Sequence, residues 1–340
     1  YGQDALDFSA NVSPLGLPEG VAKAITAALA TADRYPDPLC RALRAKLAVH
    51  ETVPAEHILC GNGAADLIFR LVWAAKPRTA LLPAPTFAEY AAALETAGCT
   101  VRRHFLRESE DFAVTEAFIS AVDEDTDMVF LCQPNNPTGQ LTPLALVEAL
   151  LRRSEACGAL LVVDECFLDF LPQSEVLSAK KLLASPNLII LKAFTKLYGM
   201  AGVRLGYCLC SNIALLDKMR AAGQPWAVSS LAQAAGLAAL NYLLDNKVVE
   251  QAEAKGALYE TLLGSHPAVR EIRRSGLLLA VELGSSAKMF RMMELFKEAG
   301  ILSDWFLYCD TAFRISPPLT ITEEEVRDSA RLIRECLDRI

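Results

Sequence analysis

Lys196 follows the apolar β-type run Leu188–Leu191 and the hydroxyl of Thr195, and Arg204 stands eight residues further on. A lysine amine at the end of a strand can join an aldehyde as a Schiff base, and an arginine beside it can neutralise a phosphate. The two together suit pyridoxal phosphate (PLP). A lysine and an arginine at such spacing are, on their own, more often solvated surface charges. Segments elsewhere in the chain decide between the two readings.

Cys60-Gly61-Asn62-Gly63-Ala64-Ala65-Asp66 reads as a strand end, a glycine turn and a helix start. Such a junction offers unpaired N–H groups and a favourable dipole to a phosphate, although an ordinary β-α turn looks the same. It is not GxGxxG, so a dinucleotide site has little support. Pro83-Ala84-Pro85-Thr86-Phe87-Ala88-Glu89-Tyr90 is a proline-fixed loop in which Phe87 or Tyr90 can stack on a planar ligand or simply pack. In Gln133-Pro134-Asn135-Asn136-Pro137-Thr138-Gly139, Asn136 precedes proline, which disfavours helix and allows a tight turn with a cis bond. Its amide can then meet a ligand oxygen; a plain turn is the alternative.

Asp164 ends the wholly apolar run Ala159–Val163, where an acid needs a partner. A protonated pyridine nitrogen is such a partner and would hold the carboxylate ionised. Arg314 lies inside the apolar run Ala312-Phe313-Arg314-Ile315, where a guanidinium should pair bidentately with a carboxylate, either a substrate's or a structural one.

These residues need a scaffold that brings strand ends together. Apolar runs at Ile58–Cys60, Thr79–Leu82, Thr100–His104, Met128–Cys132, Leu160–Val163, Leu188–Leu191 and Leu205–Cys210 alternate with helical patterns at Ala64–Ala75, Ala88–Ala97, Leu144–Cys157 and Ile213–Ala222. Strands apolar throughout and separated by helices predict an α/β fold, a mostly parallel sheet sandwiched by helices, with ligands at the carboxyl ends of its strands. Helices over Ser230–Leu244 and Val248–Leu263 follow, then antiparallel strands at Val269–Arg273 and Leu277–Glu282, a helix over Lys288–Ala299, a strand at Phe313–Ile315 and a helix over Glu323–Ile340. Thr322 and Glu325 form a capping box for that last helix. The expected division is a large PLP-binding domain over 31–244 and a smaller α+β domain made of 1–30 with 245–340.

The 340 residues are 52% hydrophobic and 22% charged, a globular profile, and the net charge of -8 disfavours nucleic acid or an anionic membrane surface as partner. The ten cysteines show no CxxC spacing and fall mostly in apolar runs, so reduced, buried thiols and a cytoplasmic setting are expected. Four histidines without ligand spacing give no metal site. No run resembles a signal peptide or a span of about 20 apolar residues. The chain opens on Tyr1, so a short N-terminal piece is expected to precede it.

The set Gly61-Asn62-Gly63, Asn136-Pro137-Thr138-Gly139, Asp164, Lys196 and Arg204, in this order and spacing, resembles the fold-type I PLP enzymes of the class I/II aminotransferase family. The resemblance covers nearly the whole chain. Within the family it looks most like the branch of threonine-phosphate decarboxylase and histidinol-phosphate aminotransferase. The runs Asp7–Gly16, Arg34–Asp37, Phe87–Tyr90, Ala193–Lys196 and Pro225-Trp226 lean toward the decarboxylase side. The resemblance implies that Lys196 carries the cofactor as a Schiff base and shuttles a proton at the substrate α-carbon. It implies that Asp164 pairs with the pyridinium nitrogen, Asn136 bonds the phenolic oxygen and Phe87 stacks on the ring. Gly63, Ala64, Thr195 and Arg204 would hold the phosphate, and Tyr35 would reach it from the neighbouring subunit of a homodimer. Arg314 would bind the substrate carboxylate, and Asn11 would line the substrate mouth.

Three positions depart from the family pattern. Phe167 stands where many relatives carry tyrosine, and Ala193 where many place a hydroxyl on the phosphate. Asp304 stands near the place where relatives acting on phosphorylated substrates tend to carry arginine, and no Lys or Arg occurs between Lys297 and Arg314. An acid there opposes a substrate phosphate. The expected activity is transfer of the amino group of a small L-amino acid to a 2-oxo acid. The alternative is L-threonine O-3-phosphate decarboxylation, which uses the same residues and differs in which α-carbon bond stands perpendicular to the cofactor. A non-catalytic PLP-binding regulatory domain is a remote third reading, disfavoured by the acidic balance and by the lack of a helix-turn-helix pattern.

Overall fold

A computed structural model of the chain describes residues 16–171, 173–246, 248–306, 309–317 and 321–340 and the strand at 6–7, with side chains at 6–7, 242–246 and 248–250 left aside. Asn11 therefore lies outside the described residues. The strands, in chain order, are β1 (Leu6–Asp7), β2 (Ile58–Gly61), β3 (Thr79–Ala84), β4 (Thr100–Phe105), β5 (Met128–Cys132), β6 (Leu160–Asp164) and β7 (Leu188–Ala193). They continue with β8 (Gly206–Leu209), β9 (Glu271–Ser275), β10 (Leu278–Glu282), β11 (Ile301–Leu302), β12 (Trp305–Phe306) and β13 (Cys309–Ile315).

Seven strands form the main sheet in the order β2-β8-β7-β6-β5-β3-β4. All pairings are parallel except those of β8, which runs antiparallel to both β2 and β7. The central strands β5, β6 and β7 are apolar except for Asp164 and Lys192 near their ends, because both faces are covered. Side chains alternate between two cores. Val129, Leu131, Leu161, Val163 and Ile190 enter one core with Leu43, Leu47, Val147 and Leu150 from the helices Arg41–Glu51 and Leu144–Ala156. Met128, Phe130, Val162, Ile189 and Leu191 enter the other, with Leu67, Leu71, Tyr90 and Leu216 from the helices Ala64–Ala75, Glu89–Thr96 and Ile213–Ala222.

The expectation of strands apolar throughout fails at β4. It pairs only with β3, at the sheet edge, and Thr100, Arg103 and Phe105 are exposed. An edge strand needs only one covered face, and charged side chains there oppose edge-to-edge pairing.

A second, antiparallel sheet runs β12-β13-β10-β9, and β1 pairs with β11 in parallel. The helix Glu323–Leu337 closes the chain; the Thr322 hydroxyl accepts from Glu325 N at 3.1 Å and the Glu325 carboxylate accepts from Thr322 N at 2.7 Å, the expected capping box. Seven of the ten cysteines are buried and all ten are free thiols. Among the described residues no helix is long and apolar enough to cross a membrane.

Candidate active site

The parallel strands β2, β3, β5, β6 and β7 all end at the same edge of the sheet, and β8, running the other way, begins there. The segments after Gly61, Ala84, Cys132, Asp164 and Ala193 and the one before Gly206 therefore converge. This is where most of the residues singled out above stand.

The phosphate-type cradle is built by close approach. Gly63 caps the helix Ala64–Ala75 with φ +87, a region L side chains avoid. A Cβ there would lie 2.8 Å from Arg204 Nη2, so the guanidinium rests directly over the turn. Gly206 admits the helix start from below: a Cβ on it would lie 2.6 Å from Ala64 N. Arg204 itself has φ +59 and is exposed, with Nη1 donating to the Ala201 carbonyl at 3.1 Å. Phe194 N donates to Leu205 O at 3.1 Å, which brings Thr195 beside Arg204. The helix start and a guanidinium thus meet at one place, with Thr195 on the neighbouring segment, and their donors suit a phosphate.

Asp164, the last residue of β6, is 5% exposed. Tyr90 donates its hydroxyl to Oδ2 at 2.7 Å, and Cys166 N donates to Oδ1 at 3.0 Å. Burial, and then the Asp164 charge, push the Tyr90 hydroxyl well above its ordinary pKa, so it stays a donor. Tyr90 is held by stacking on Phe130 at 4.7 Å between centroids and by the edge of Phe87 at 5.5 Å. Its part in the site is through its hydroxyl, and Phe87 is positioned through it.

Lys196 is partly buried, and that burial lowers its pKa. The Cys166 and Asp164 side chains oppose the shift, while the charges of Arg314 and Arg204 add to it. Lys196 Nζ stands 5.3 Å from the centre of the Phe167 ring. The amine is thus placed among Asp164, Arg204 and Arg314 and disposed to lose its proton.

Asn136 and Arg314 line one cavity together with Phe167 and Ser316. The Asn136–Pro137 bond is cis, as are Ala84–Pro85 and Gln133–Pro134. Asn135 ties the two proline loops together: its Nδ2 donates to Pro85 O at 3.0 Å and to Thr138 Oγ1 at 2.9 Å, and its Oδ1 accepts from Thr86 Oγ1 at 3.0 Å. Asn135 and the neighbouring Asn136 both line the cavity. Arg314 lies on β13 opposite Ala280, so the cavity is walled by both sheets' loops and strands. Tyr35 differs from the rest: its ring is 81% exposed and stacks on Trp226 at 4.6 Å.

Sequence reasoning missed the Tyr90 hydroxyl, the Asn135 brace and a buried ionic cluster behind β6 and β7. In that cluster Lys192 Nζ lies 3.0 Å from Asp169, 3.4 Å from Glu51 and 4.0 Å from Glu165. Lys180 meets Glu51 at 3.2 Å, and Tyr207 donates its hydroxyl to Glu51. Glu165 accepts from Ser178 Oγ and Ala179 N, each at 2.7 Å. The signal was present: Lys192 extends an apolar strand just as Arg314 does.

Comparison with known proteins gives the family and the fold. The chain is 42% identical over 235 residues to threonine-phosphate decarboxylase of Salmonella typhimurium, a match over 69% of this chain and 64% of that protein. It is 35% identical over 246 residues to histidinol-phosphate aminotransferase of Desulfitobacterium hafniense, over 70% of this chain and 66% of that one. The chain thus spans a little under two thirds of the length of these relatives. The fold matches histidinol-phosphate aminotransferase from Sinorhizobium meliloti, solved in complex with pyridoxal-5'-phosphate, with a TM-score of 0.83 and 23% identity over 98% of this chain and 91% of that one. Residues 3–333 match the model of aminotransferase class I and II, and the chain belongs to that family.

Proposed function

We propose that the chain is a PLP-dependent enzyme that transfers the amino group of a small L-amino acid to a 2-oxo acid. The observation that carries the reading is that the charges of Asp164, Arg204 and Arg314 all act on one partly buried amine, that of Lys196, whose pKa burial lowers. The cradle at Gly63, Ala64, Thr195 and Arg204 takes the cofactor phosphate. Asp164, fixed in place by the Tyr90 hydroxyl and the Cys166 N–H, would pair with the ring nitrogen. Asn136 would donate to the phenolic oxygen, and Phe87 would cover the ring face. Phe167 offers no hydroxyl to that oxygen. When bound, PLP supplies an electron sink for the bond that breaks at the substrate α-carbon.

The protein's own residues do the remaining work. Arg314 fixes the substrate carboxylate, which sets the bond that faces Lys196. Lys196 would move the proton at the substrate α-carbon, a role suited to an amine whose pKa burial depresses. Tyr35 completes the phosphate site from the neighbouring subunit of a homodimer, and Asn11 borders the substrate mouth. The large unit is 31–244, and the smaller one 1–30 with 245–340. Free thiols throughout suit a reducing compartment, the cytoplasm.

The similarity to a threonine-phosphate decarboxylase favours a second reading, in which the same residues hold the carboxylate perpendicular to the cofactor and CO₂ leaves. Substrate titration separates the two. An ordinary L-amino acid should convert the visible absorbance of the protein to that of the amine form of the cofactor, and a 2-oxo acid should reverse it. Release of CO₂ from O-phosphothreonine with no acceptor would establish decarboxylation instead.

A further inference from the structure

The cavity that Asn136 and Arg314 share has a strongly apolar wall. Phe167, Phe170, Leu171, Leu277, Leu278 and Phe306 make up much of its lining, and Arg314 is the one cationic side chain on it among the described residues. The Phe167 and Phe170 rings lie 6.3 Å apart at 31°. Since Lys196 Nζ is 5.3 Å from Phe167, the apolar wall starts beside the reacting amine and runs outward through Phe170. Residues 1–15, 172, 307–308 and 318–320 contain no Lys, Arg or His, and Lys247 is the one cation outside the described residues. On the strand side, Arg314 N donates to the Asp304 carbonyl at 2.9 Å, so the residue bonded to the Arg314 backbone is an acid. Its carboxylate accepts from Trp305 N at 2.9 Å.

Charge counting decides what fits. An amino-acid substrate needs one cation for its α-carboxylate, and Arg314 supplies it. A phosphorylated side chain would add about two further negative charges. Binding it would call for a second cation or a row of N–H donors, whereas the wall offers rings and aliphatic chains. An apolar side chain is desolvated there without leaving a polar group unmatched.

We propose that the substrate is an L-amino acid with an uncharged, apolar side chain, branched aliphatic or aromatic, and that Phe170 and Leu277 are specificity-determining residues. The proposal rests on the amino-acid-binding reading above and narrows it to a substrate class.

Calorimetric titration and thermal shift of the PLP-loaded protein test this without relying on turnover. The ligands are L-leucine, L-phenylalanine, L-alanine, L-aspartate, O-phospho-L-threonine and L-histidinol phosphate. Leucine or phenylalanine should bind at least tenfold more tightly than either phosphorylated compound or aspartate. Phe170→Ala should weaken the preferred ligand about tenfold, the scale set by removing one apolar wall from a buried side chain, while leaving alanine within about twofold. Tighter binding of O-phosphothreonine or histidinol phosphate would overturn the substrate class and leave the amino-acid reading standing. Binding by none of the six would overturn both. The wild-type ranking decides the matter even where Phe170→Ala fails to fold.

Discussion

The amine of Lys196 is kept partly out of water, which lowers its pKa and would suit it to the proposed role as a base. The sign of the effect on stability follows. A lysine whose folded pKa is depressed binds fewer protons folded than unfolded, so protonating it costs stability, and the cost grows as pH falls below its ordinary value of 10.5. Lys196→Met should therefore raise the melting temperature of the cofactor-free protein at pH 7 and have less effect at pH 10. An unchanged or lower melting temperature at pH 7 would mean the amine is adequately solvated. Tyr90 is the complementary case. Its hydroxyl satisfies a buried carboxylate, so Tyr90→Phe should cost about 1–3 kcal/mol in denaturant unfolding. It should also weaken PLP retention, because the Asp164 charge would be held by one donor fewer.

Two elements set the site, the helix Ala64–Ala75 and the strand pair β7–β8, and they touch through glycine. Gly206→Ala would press a methyl into Ala64 N, so the helix start must shift off the cradle. Loss of PLP affinity by tenfold or more is expected, with the overall circular dichroism retained. Behind the same strands, burial would raise the Glu51 carboxyl, but Lys192, the Tyr207 hydroxyl and Lys180 bring it down to about 2. Its stabilisation is present above pH 4.5 and is lost as pH falls toward 2. Burial instead pushes Glu165 up to about 7, so its ionisation costs stability as pH rises from 4.5 to 7. Glu165→Gln should flatten that upper slope, and Glu51→Gln should lose about 3–5 kcal/mol near neutrality by leaving Lys192 short of a partner.

The sequence made the helix Ala64–Ala75 and the strand β5 legible to the residue, because buried strands read as unbroken apolar runs and helices as periodic ones. It did not reveal the reversed direction of β8, since strand direction leaves no mark on composition. The exposed edge β4 reads as buried for a similar reason: the place of Thr100–His104 in the alternation of strands and helices outweighs its charges. Asp164, Lys196 and Arg314 stand out as charges at or within apolar runs. Tyr90 does not, because a tyrosine on a helix face looks like any packed aromatic until its hydroxyl is seen to find Asp164.

At the scale of the whole molecule, the Tyr35–Trp226 stack is exposed, and the proposed homodimer would set Tyr35 at the partner's site. Subunit mixing tests whether Tyr35 acts across that contact. Lys196→Ala and Tyr35→Ala proteins, each weakly active or inactive, would be unfolded and refolded together. If Tyr35 serves the partner's site, each mixed dimer carries one intact site, and about a quarter of wild-type activity should return from an equal mixture. No recovery despite mixed dimers would place Tyr35 in its own subunit's site.

The central claim is that Lys196 holds the cofactor. Borohydride reduction of the PLP-loaded protein, followed by proteolysis and mass spectrometry, tests it most directly. The account predicts a reduced pyridoxyl adduct on the peptide containing Lys196 and on no other lysine. An adduct elsewhere, or none on a protein that retains its visible absorbance, would contradict it.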